Sequence, residues 1–378
     1  VNGGVLSVPD TATLNGLTGA GGVALVGQLG ISRYSLPSIG YSGSAAINGA
    51  NPVNVSVPIA GMVFGVDGVT GATSTNAADI DMSAIGGGSQ RVWLGNVVGF
   101  DRTYTGTMTN GTSGDLRLLA GSNNLVISGS ANRLGGAGAT NNLVFGLDHA
   151  NPIVFTGAHL GQATALLHGT TAGNGTVSVR VDNANTLGTV TVNRGVTANI
   201  NGTVTTPLGT GIVTALGGTL STDNTSAAQF GNTDFRLYGG STLLLDNSAV
   251  TTANANRRLL PTTDLNLTSS TLRLIGDGSV AVTSSQAVNS IDYNGGSTLS
   301  IDTDIATAAT RLTSLTTGSL NRTDRGTLNI RNVSNIATTF GTAAGTQKLI
   351  VTSAPTVTNG MIGANIALWG GANSNDGS

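Results

Sequence analysis

Glutamate is absent from this chain, and lysine is nearly so. All 18 acidic residues are aspartate, and Lys348 is the only lysine among 16 basic residues. Glutamate and lysine are good helix formers, whereas the Asp, Asn, Gly and Thr that abound here favour turns or strands. The composition therefore excludes substantial helical content.

Cysteine is also absent from the 378 residues, which excludes disulfide bonds and thiolate chemistry. Charge is scarce, because charged residues make up 9% of the chain and the formal net charge is -2. Such a balance offers no basic surface to nucleic acid and no cationic face to a membrane. We therefore expect no nucleic-acid partner, and membrane contact only through an anchor absent from this chain.

Low charge and many glycines are also typical of disordered segments. Here, however, 39% of the residues are hydrophobic, and they lie in short alternating runs that need a buried face. We therefore predict an ordered, all-β chain.

The chain also contains a repeat. A Thr-Leu step, usually preceded by glycine or serine, recurs along residues 217–332. From Leu243 to Leu328 the successive steps are separated by 29, 27 and 29 residues. A recurrence of this length marks a solenoid, in which each repeat stacks on the next. Aligned on this step, the repeats predict inward-facing apolar ladders: Leu243, Leu272, Leu299 and Leu328, and beside them Leu245, Leu274, Ile301 and Ile330.

The repeat length fits one turn of a parallel β-helix. A strand rises ~3.3 Å per residue, so 27 residues trace a perimeter of at most ~90 Å. An antiparallel sandwich joined by Asn-Gly hairpins is the alternative, but Asn-Gly also suits the tight corners of a coil. We predict a single elongated parallel β-helix over residues 1–378, with irregular or insertion-bearing turns over 1–96 and regular repeats over 217–332. Because Gly3-Gly4-Val5-Leu6-Ser7 looks like the interior of a repeat, we expect these residues to be part of a longer chain.

The repeat resembles a known family. The unit Gly-Gly-(Ser)-Thr-Leu-x-(Leu/Ile), found at 239–245 and 295–301, resembles the autotransporter-associated β-strand repeat of long exported bacterial proteins. Residues 357–371 are similar to a passage common in those chains. The resemblance implies a right-handed parallel β-helix that a Gram-negative-type bacterium exports and displays or releases at its surface. The family motif is structural and provides no catalytic residues.

Two pairs of aspartates are candidates for chemistry, because some β-helices cleave polysaccharides with paired carboxylates. Asp79 and Asp81, or Asp302 and Asp304, are spaced to share a strand face. Aspartate is also an ordinary turn residue, and with no glutamate and few aromatics we assign no catalytic residue. A polysaccharide-active enzyme remains the alternative function.

The sequence signals for metal and phosphate sites are weaker than those for the aspartate pairs. We therefore assign no metal-binding or cofactor-binding residue and no cofactor. Gly276-Asp277-Gly278 occurs once and lacks the flanking glycines of calcium-binding repeats. The glycine-rich stretch 135–138 lacks the strand, helix and lysine of a phosphate loop. The three histidines are dispersed along the chain: His149, His159 and His168.

The expected function is therefore structural or adhesive, as an extracellular stalk, fibre or passenger. The expected partners are other copies of the chain, through exposed strand edges, or extracellular matrix and surface glycans. A specific ligand is expected where the repeat is interrupted, notably at the insertion 32–48.

Overall fold

The computed structural model consists of short strands, and most of their pairings are parallel. It describes residues 5–8, 38–41, 43–55, 57, 61–66, 74–88, 91–95, 102–111, 113–119, 125–128, 134, 140–145, 149–156, 164–167, 175–181, 189–192, 194, 196–201, 208–222, 229–248, 254–255, 258–276, 283–303, 312–331, 347–353, 357–358, 361–362 and 365–369. Within these ranges the only helical element is a 3-10 turn, Met82–Ala84. The expected scarcity of helix is confirmed for them.

The chain forms two compact units, Val1–Val190 and Thr191–Ser378, referred to as unit 1 and unit 2. The strands of unit 1 are β1 (Val5–Val8), β2 (Ser38–Tyr41), β3 (Met62–Val66), β4 (Ser74–Asn76), β5 (Ile80–Asp81), β6 (Val92–Gly95), β7 (Arg102–Tyr104), β8 (Met108–Thr109), β9 (Ser113–Leu119), β10 (Leu125–Ser128), β11 (Thr140–Phe145), β12 (His149–Thr156), β13 (Thr164–Leu167) and β14 (Gly175–Val181), while β15 (Thr189–Val192) crosses the boundary.

Unit 1 is a coil with three faces. From β3 to β8 the chain adds strands to a first sheet, a second sheet and a short third sheet in rotation, and from β9 to β14 the strands alternate between the first two sheets. The first sheet stacks β1, β2, β3, β6, β9, β11 and β13, the second stacks β4, β7, β10, β12 and β14, and the third pairs β5 with β8. Parallel pairing of successive turns defines a parallel β-helix, which confirms the predicted fold class. One turn of this coil is called a rung below.

The third face of unit 1 buries one apolar residue from each of four successive rungs. Ile47 pairs with Ile80, Ile80 with Met108, and Met108 with Leu134, always in parallel. All four side chains are at most 1% exposed. The irregular N-terminal region therefore follows the same stacking rule as the regular repeats.

Unit 2 continues the parallel stacking of successive rungs in a first and a second sheet. Its strands are β16 (Val196–Asn201), β17 (Ile212–Leu216), β18 (Thr219–Thr222), β19 (Asp234–Tyr238), β20 (Thr242–Asp246), β21 (Asn254–Ala255), β22 (Asp264–Thr268), β23 (Thr271–Gly276), β24 (Thr283–Asn294), β25 (Gly296–Thr303), β26 (Leu312–Arg322), β27 (Thr327–Arg331), β28 (Lys348–Val351), β29 (Val357–Thr358), β30 (Met361–Ile362) and β31 (Ile366–Trp369). The first sheet stacks β17, β19, β22, β24, β26 and β28, the second stacks β16, β18, β20, β23, β25, β27 and β31, and β29 and β30 form an antiparallel pair.

The Thr-Leu ladder lies in the second sheet of unit 2 and faces inward. Leu243 pairs with Leu272, and Leu272 pairs with Leu299. None of the three side chains is exposed, and Leu328 is only 1% exposed. Burying a leucine contributes roughly 1.5–3 kcal/mol, so the ladder is a major part of the core.

The predicted register is wrong at the fourth repeat. Leu328 pairs with Ser297, and it is Ile330 that pairs with Leu299. The reason is the corner before β27. Four residues (323–326) separate Arg322 from Thr327, whereas two (294–295) separate their register partners, Tyr293 and Gly296. Because side chains alternate with a period of two, a slip of two residues keeps Leu328 and Ile330 on the inner face.

The ladder predicts a large local cost for truncation. We expect Leu272→Ala to destabilise unit 2 by about 3 kcal/mol, because it leaves a cavity between two leucines of neighbouring rungs. The matched control is Leu244→Ala, since Leu244 is half-buried and outward-facing. Urea unfolding measures both variants, and an equal midpoint shift for the two would contradict the inward ladder.

Candidate functional site

Asp79 and Asp81, the first candidate pair, both bind backbone N–H groups of the next rung. The Asp79 Oδ1 atom accepts from the Thr107 nitrogen at 2.7 Å. The Asp81 Oδ1 atom accepts from Gly111 N at 3.0 Å and also caps the 3-10 turn through Ser83 N at 2.9 Å and Ser83 Oγ at 2.6 Å. Both carboxylates thus connect successive rungs of unit 1.

Asp302, of the second candidate pair, is also held by its neighbours. It is 2% exposed, and its Oδ2 atom accepts from Arg273 Nε at 2.8 Å and from Ser300 Oγ at 3.0 Å. Arg273 belongs to β23, so the ion pair links two neighbouring strands of the second sheet. Asp304 lies outside the described residues.

For the remaining candidate residues, the described part of the structure shows no cluster that would form a site. His149 begins β12 and Gly276 ends β23. His159, His168, Asp277 and the stretch 135–138 lie outside the described residues. Of the insertion 32–48, the described part comprises β2 and residues 43–48. No three potential metal-binding side chains gather anywhere in the described ranges.

A regular polar surface that includes none of these candidates lies on the outer face of the first sheet of unit 2. Strict alternation along β19, β22, β24 and β26 places polar residues outward in two parallel columns. We call these columns the outer polar ladder: Asp234, Asp264, Ser290 and Ser319 in one, and Arg236, Asn266, Asp292 and Asn321 in the other.

Hydrogen bonds within the outer polar ladder run from rung to rung. Asn266 Nδ2 donates to Asp234 Oδ1 at 3.2 Å, Ser290 Oγ to Asp264 Oδ1 at 2.6 Å, and Asn321 Nδ2 to Asp292 Oδ1 at 2.7 Å. Each aspartate therefore accepts from the strand that follows it. The ladder is a fixed array of carboxylates and amides.

Arg236 is the exposed cation of this array. Its Nε and Nη2 atoms both donate to Asp234 Oδ2, at 2.9 and 2.6 Å. This hydrogen bond, together with the charge of Asp234, raises the pKa of Arg236 above its ordinary value. The guanidinium stays charged and keeps a fixed orientation on the surface.

An exposed apolar pair borders the ladder at the end of β17 and β19. Leu216 is 45% exposed and Tyr238 is 38% exposed, and the two are partners in the parallel register. An aromatic ring beside fixed hydrogen-bonding groups is suited to stacking on a ring-shaped, hydroxyl-bearing ligand. This surface was not predicted from the sequence, although the alternation in Asp-Phe-Arg-Leu-Tyr at 234–238 indicates which side chains point outward.

Comparison with protein-family models, curated proteins and solved structures found no match for this chain. The family resemblance of the Thr-Leu repeat therefore remains a prediction. In the part of the chain that the structure describes, no helix is long and apolar enough to cross a membrane.

Tyr293 is a titratable group of unit 2 whose pKa is shifted by burial. It is 2% exposed in the inner ladder of the first sheet, and its hydroxyl accepts a hydrogen bond from Asn365 Nδ2. Burial raises the pKa of Tyr293 above its ordinary value of 10.0 and outweighs the opposing effects of Arg322 and of the Asn365 bond.

This shift predicts loss of stability in alkali. Because the folded-state pKa lies above the unfolded one, the contribution is fully present below about pH 10 and is lost as pH rises through the folded pKa. We expect the Tm to fall as the pH rises above about 10, and Tyr293→Phe to reduce that fall. Thermal unfolding as a function of pH measures it, with Tyr238→Phe as the exposed control. An unchanged pH profile for Tyr293→Phe would contradict the assignment.

Proposed function

We propose that this chain is a structural and adhesive β-helix that acts outside a Gram-negative-type bacterium, as a stalk, fibre or passenger of an exported surface protein. The observation that carries the proposal is the use of the candidate carboxylates. Asp79, Asp81 and Asp302 bind groups of neighbouring rungs or strands. Aspartates that bind neighbouring rungs or strands in this way stabilise the coil.

The Thr-Leu repeat supports the same proposal. In-register leucines allow a coil to extend by adding rungs without thickening its core. An exported stalk needs that property, because its task is reach. The absence of cysteine is compatible with export of an unfolded chain, which has no disulfide to form on the way.

The outer polar ladder and the Leu216–Tyr238 pair are the proposed contact surface. The ladder presents carboxylate and amide oxygens that accept from sugar hydroxyls, and amide and guanidinium groups that donate to them. Tyr238 offers a partly exposed ring for stacking. Many weak contacts of this kind, repeated along a display of many copies, produce adhesion through avidity.

Glycan binding without turnover is the expected biochemical result. On a panel of surface and matrix polysaccharides, we expect weak binding that Tyr238→Ala reduces roughly fivefold to tenfold, because stacking is lost. Tyr238→Phe retains the ring and serves as the matched control. Turnover that Asp81→Asn abolishes while the fold is retained would replace this proposal with the polysaccharide-active enzyme.

Surface exposure is the expected cellular result. Protease treatment of intact producing cells should release peptides of this chain, while a cytoplasmic marker protein stays uncut. Protection of the chain until the cells are lysed would overturn the proposed location. Electron microscopy of the purified chain shows whether its copies associate end to end, which would identify self-association as the adhesive contact.

A further inference from the structure

We propose that the corner between β24 and β25 is a site of self-modification, at which Asn294 converts to aspartate and isoaspartate through a cyclic imide. The inference concerns the chemistry of this corner and is independent of the proposed function. It rests on three groups that the fold holds together: the Asn294 side chain, the Gly295 nitrogen and the Asp324 carboxylate.

The Asn294 amide lies directly against the backbone nitrogen of the next residue. Gly295 N donates to Asn294 Oδ1 at 2.7 Å. Since the carbonyl bond is about 1.2 Å long, the nitrogen lies within about 4 Å of the Asn294 Cγ atom, which is the carbon it must attack. The two reacting atoms are thus held close to reaction distance.

Asp324, on the next rung, fixes the orientation of this amide. Asn294 Nδ2 donates to Asp324 Oδ2 at 3.0 Å. With its nitrogen bound there, the amide keeps its oxygen toward the Gly295 N–H. Asp324 is therefore a positioning residue, and it also lies beside the nitrogen that must depart as ammonia.

The corner favours the glycine that makes this reaction possible. Gly295 has φ +59°, a left-handed conformation that residues with a side chain rarely adopt. A Cβ atom at this position would lie 2.2 Å from Ser269 Oγ. The corner therefore disfavours the side chains that would shield the Gly295 nitrogen from the Asn294 amide.

The reaction balances with water as the co-reactant. Gly295 N loses its proton and forms a bond to Asn294 Cγ. The bond from Cγ to Nδ2 breaks, and Nδ2 leaves as ammonia after taking up a proton. Water then opens the imide at either carbonyl, which yields aspartate or isoaspartate. The net change is replacement of the amide nitrogen by a water-derived oxygen.

Two other Asn-Gly steps among the described residues provide internal controls. At Asn110–Gly111 the glycine N–H is bound by Asp81 Oδ1 at 3.0 Å, and Asn110 Nδ2 donates to Asp115 O at 3.0 Å. The nitrogen of Gly111 is thereby held by another carboxylate.

At the second control step, Asn48–Gly49, the side chain turns toward later residues. Asn48 Oδ1 accepts from Ala50 N at 3.0 Å and from Asn51 N at 3.1 Å. The Asn294–Gly295 step differs from both controls, because its glycine nitrogen donates to the side-chain amide of the preceding asparagine.

Conversion would weaken the corner in which it occurs. A new carboxylate at 294 would face Asp324 in place of the present hydrogen bond, so that two like charges meet. Isoaspartate would also lengthen the backbone where Asn294 O accepts from Ser269 N at 3.0 Å and from Ser297 Oγ at 2.8 Å. The modified chain should therefore unfold more readily in unit 2.

The test is site-resolved peptide mapping of the full chain during storage in mildly alkaline, heavy-oxygen water. We expect Asn294 to convert roughly tenfold faster than Asn110 or Asn48, because its reacting groups are pre-positioned. Both aspartate and isoaspartate should form, and both should carry the heavy oxygen. In the urea-unfolded chain the three rates should converge.

Three variants test the roles of the individual groups. Asn294→Gln, which would require a larger ring, should show no conversion at position 294 over the same period. Asp324→Gly suits the left-handed conformation at 324 (φ +49°) and should slow conversion of Asn294, whereas Asp324→Asn keeps an acceptor and should preserve most of the rate. Urea unfolding of each variant reports whether unit 2, which contains Asn294 and Asp324, is folded, and the Asn110 rate reports the same for unit 1.

The proposal has clear contradicting outcomes. Equal rates at the three steps in the folded chain would overturn it, as would a ranking that persists after unfolding. Formation of aspartate alone would indicate direct hydrolysis and would exclude the cyclic imide. An unchanged Asn294 rate in Asp324→Gly would remove Asp324 from the proposal.

Discussion

The structure depends on one constraint, the in-register stacking of parallel strands. Backbone hydrogen bonds fix neighbouring rungs at about 4.8 Å, so equivalent positions of successive rungs must be compatible with one another. Leucine on leucine satisfies this inside, as at Leu243 and Leu272. Outside, Asp234 lies in register with Asp264. Hydrogen bonds from neighbouring side chains offset this like charge, because Arg236 and Asn266 donate to Asp234 and Ser290 donates to Asp264. Core and surface thus follow from the same repeat distance.

The corners are the second determinant, because they decide where each strand begins. A positive-φ glycine closes the corner at Gly111 and at Gly295. Two extra residues before β27 shift its register without turning its leucines outward. At the same tight corner, Gly295 N donates a hydrogen bond to the Asn294 side-chain amide oxygen. The corner that closes the coil here therefore also brings together the reacting groups of the proposed conversion.

Much of the fold was predictable from local pattern, whereas the candidate surface was not. The Thr-Leu spacing predicted the inward position of Leu243, Leu272 and Leu299, since apolar alternation depends on neighbours along the strand. The partners of Asp81 and Asp302 were not predictable, because Gly111 and Arg273 lie about one rung away in sequence. The Leu216–Tyr238 pair was likewise overlooked, since only the register makes the two residues neighbours.

By itself, the sequence determined the all-β class, the solenoid repeat and the inward leucines, because composition and period-two alternation act within each strand. The tertiary structure decided the register of β27, the roles of Asp79, Asp81 and Asp302, and the close contact at Asn294. These depend on corner length and on which rung lies above which. Such distances are set when strands stack, and a linear pattern does not contain them. For this reason the sequence predicted the architecture, whereas the contacts of the aspartates and of Asn294 are visible only in the folded structure.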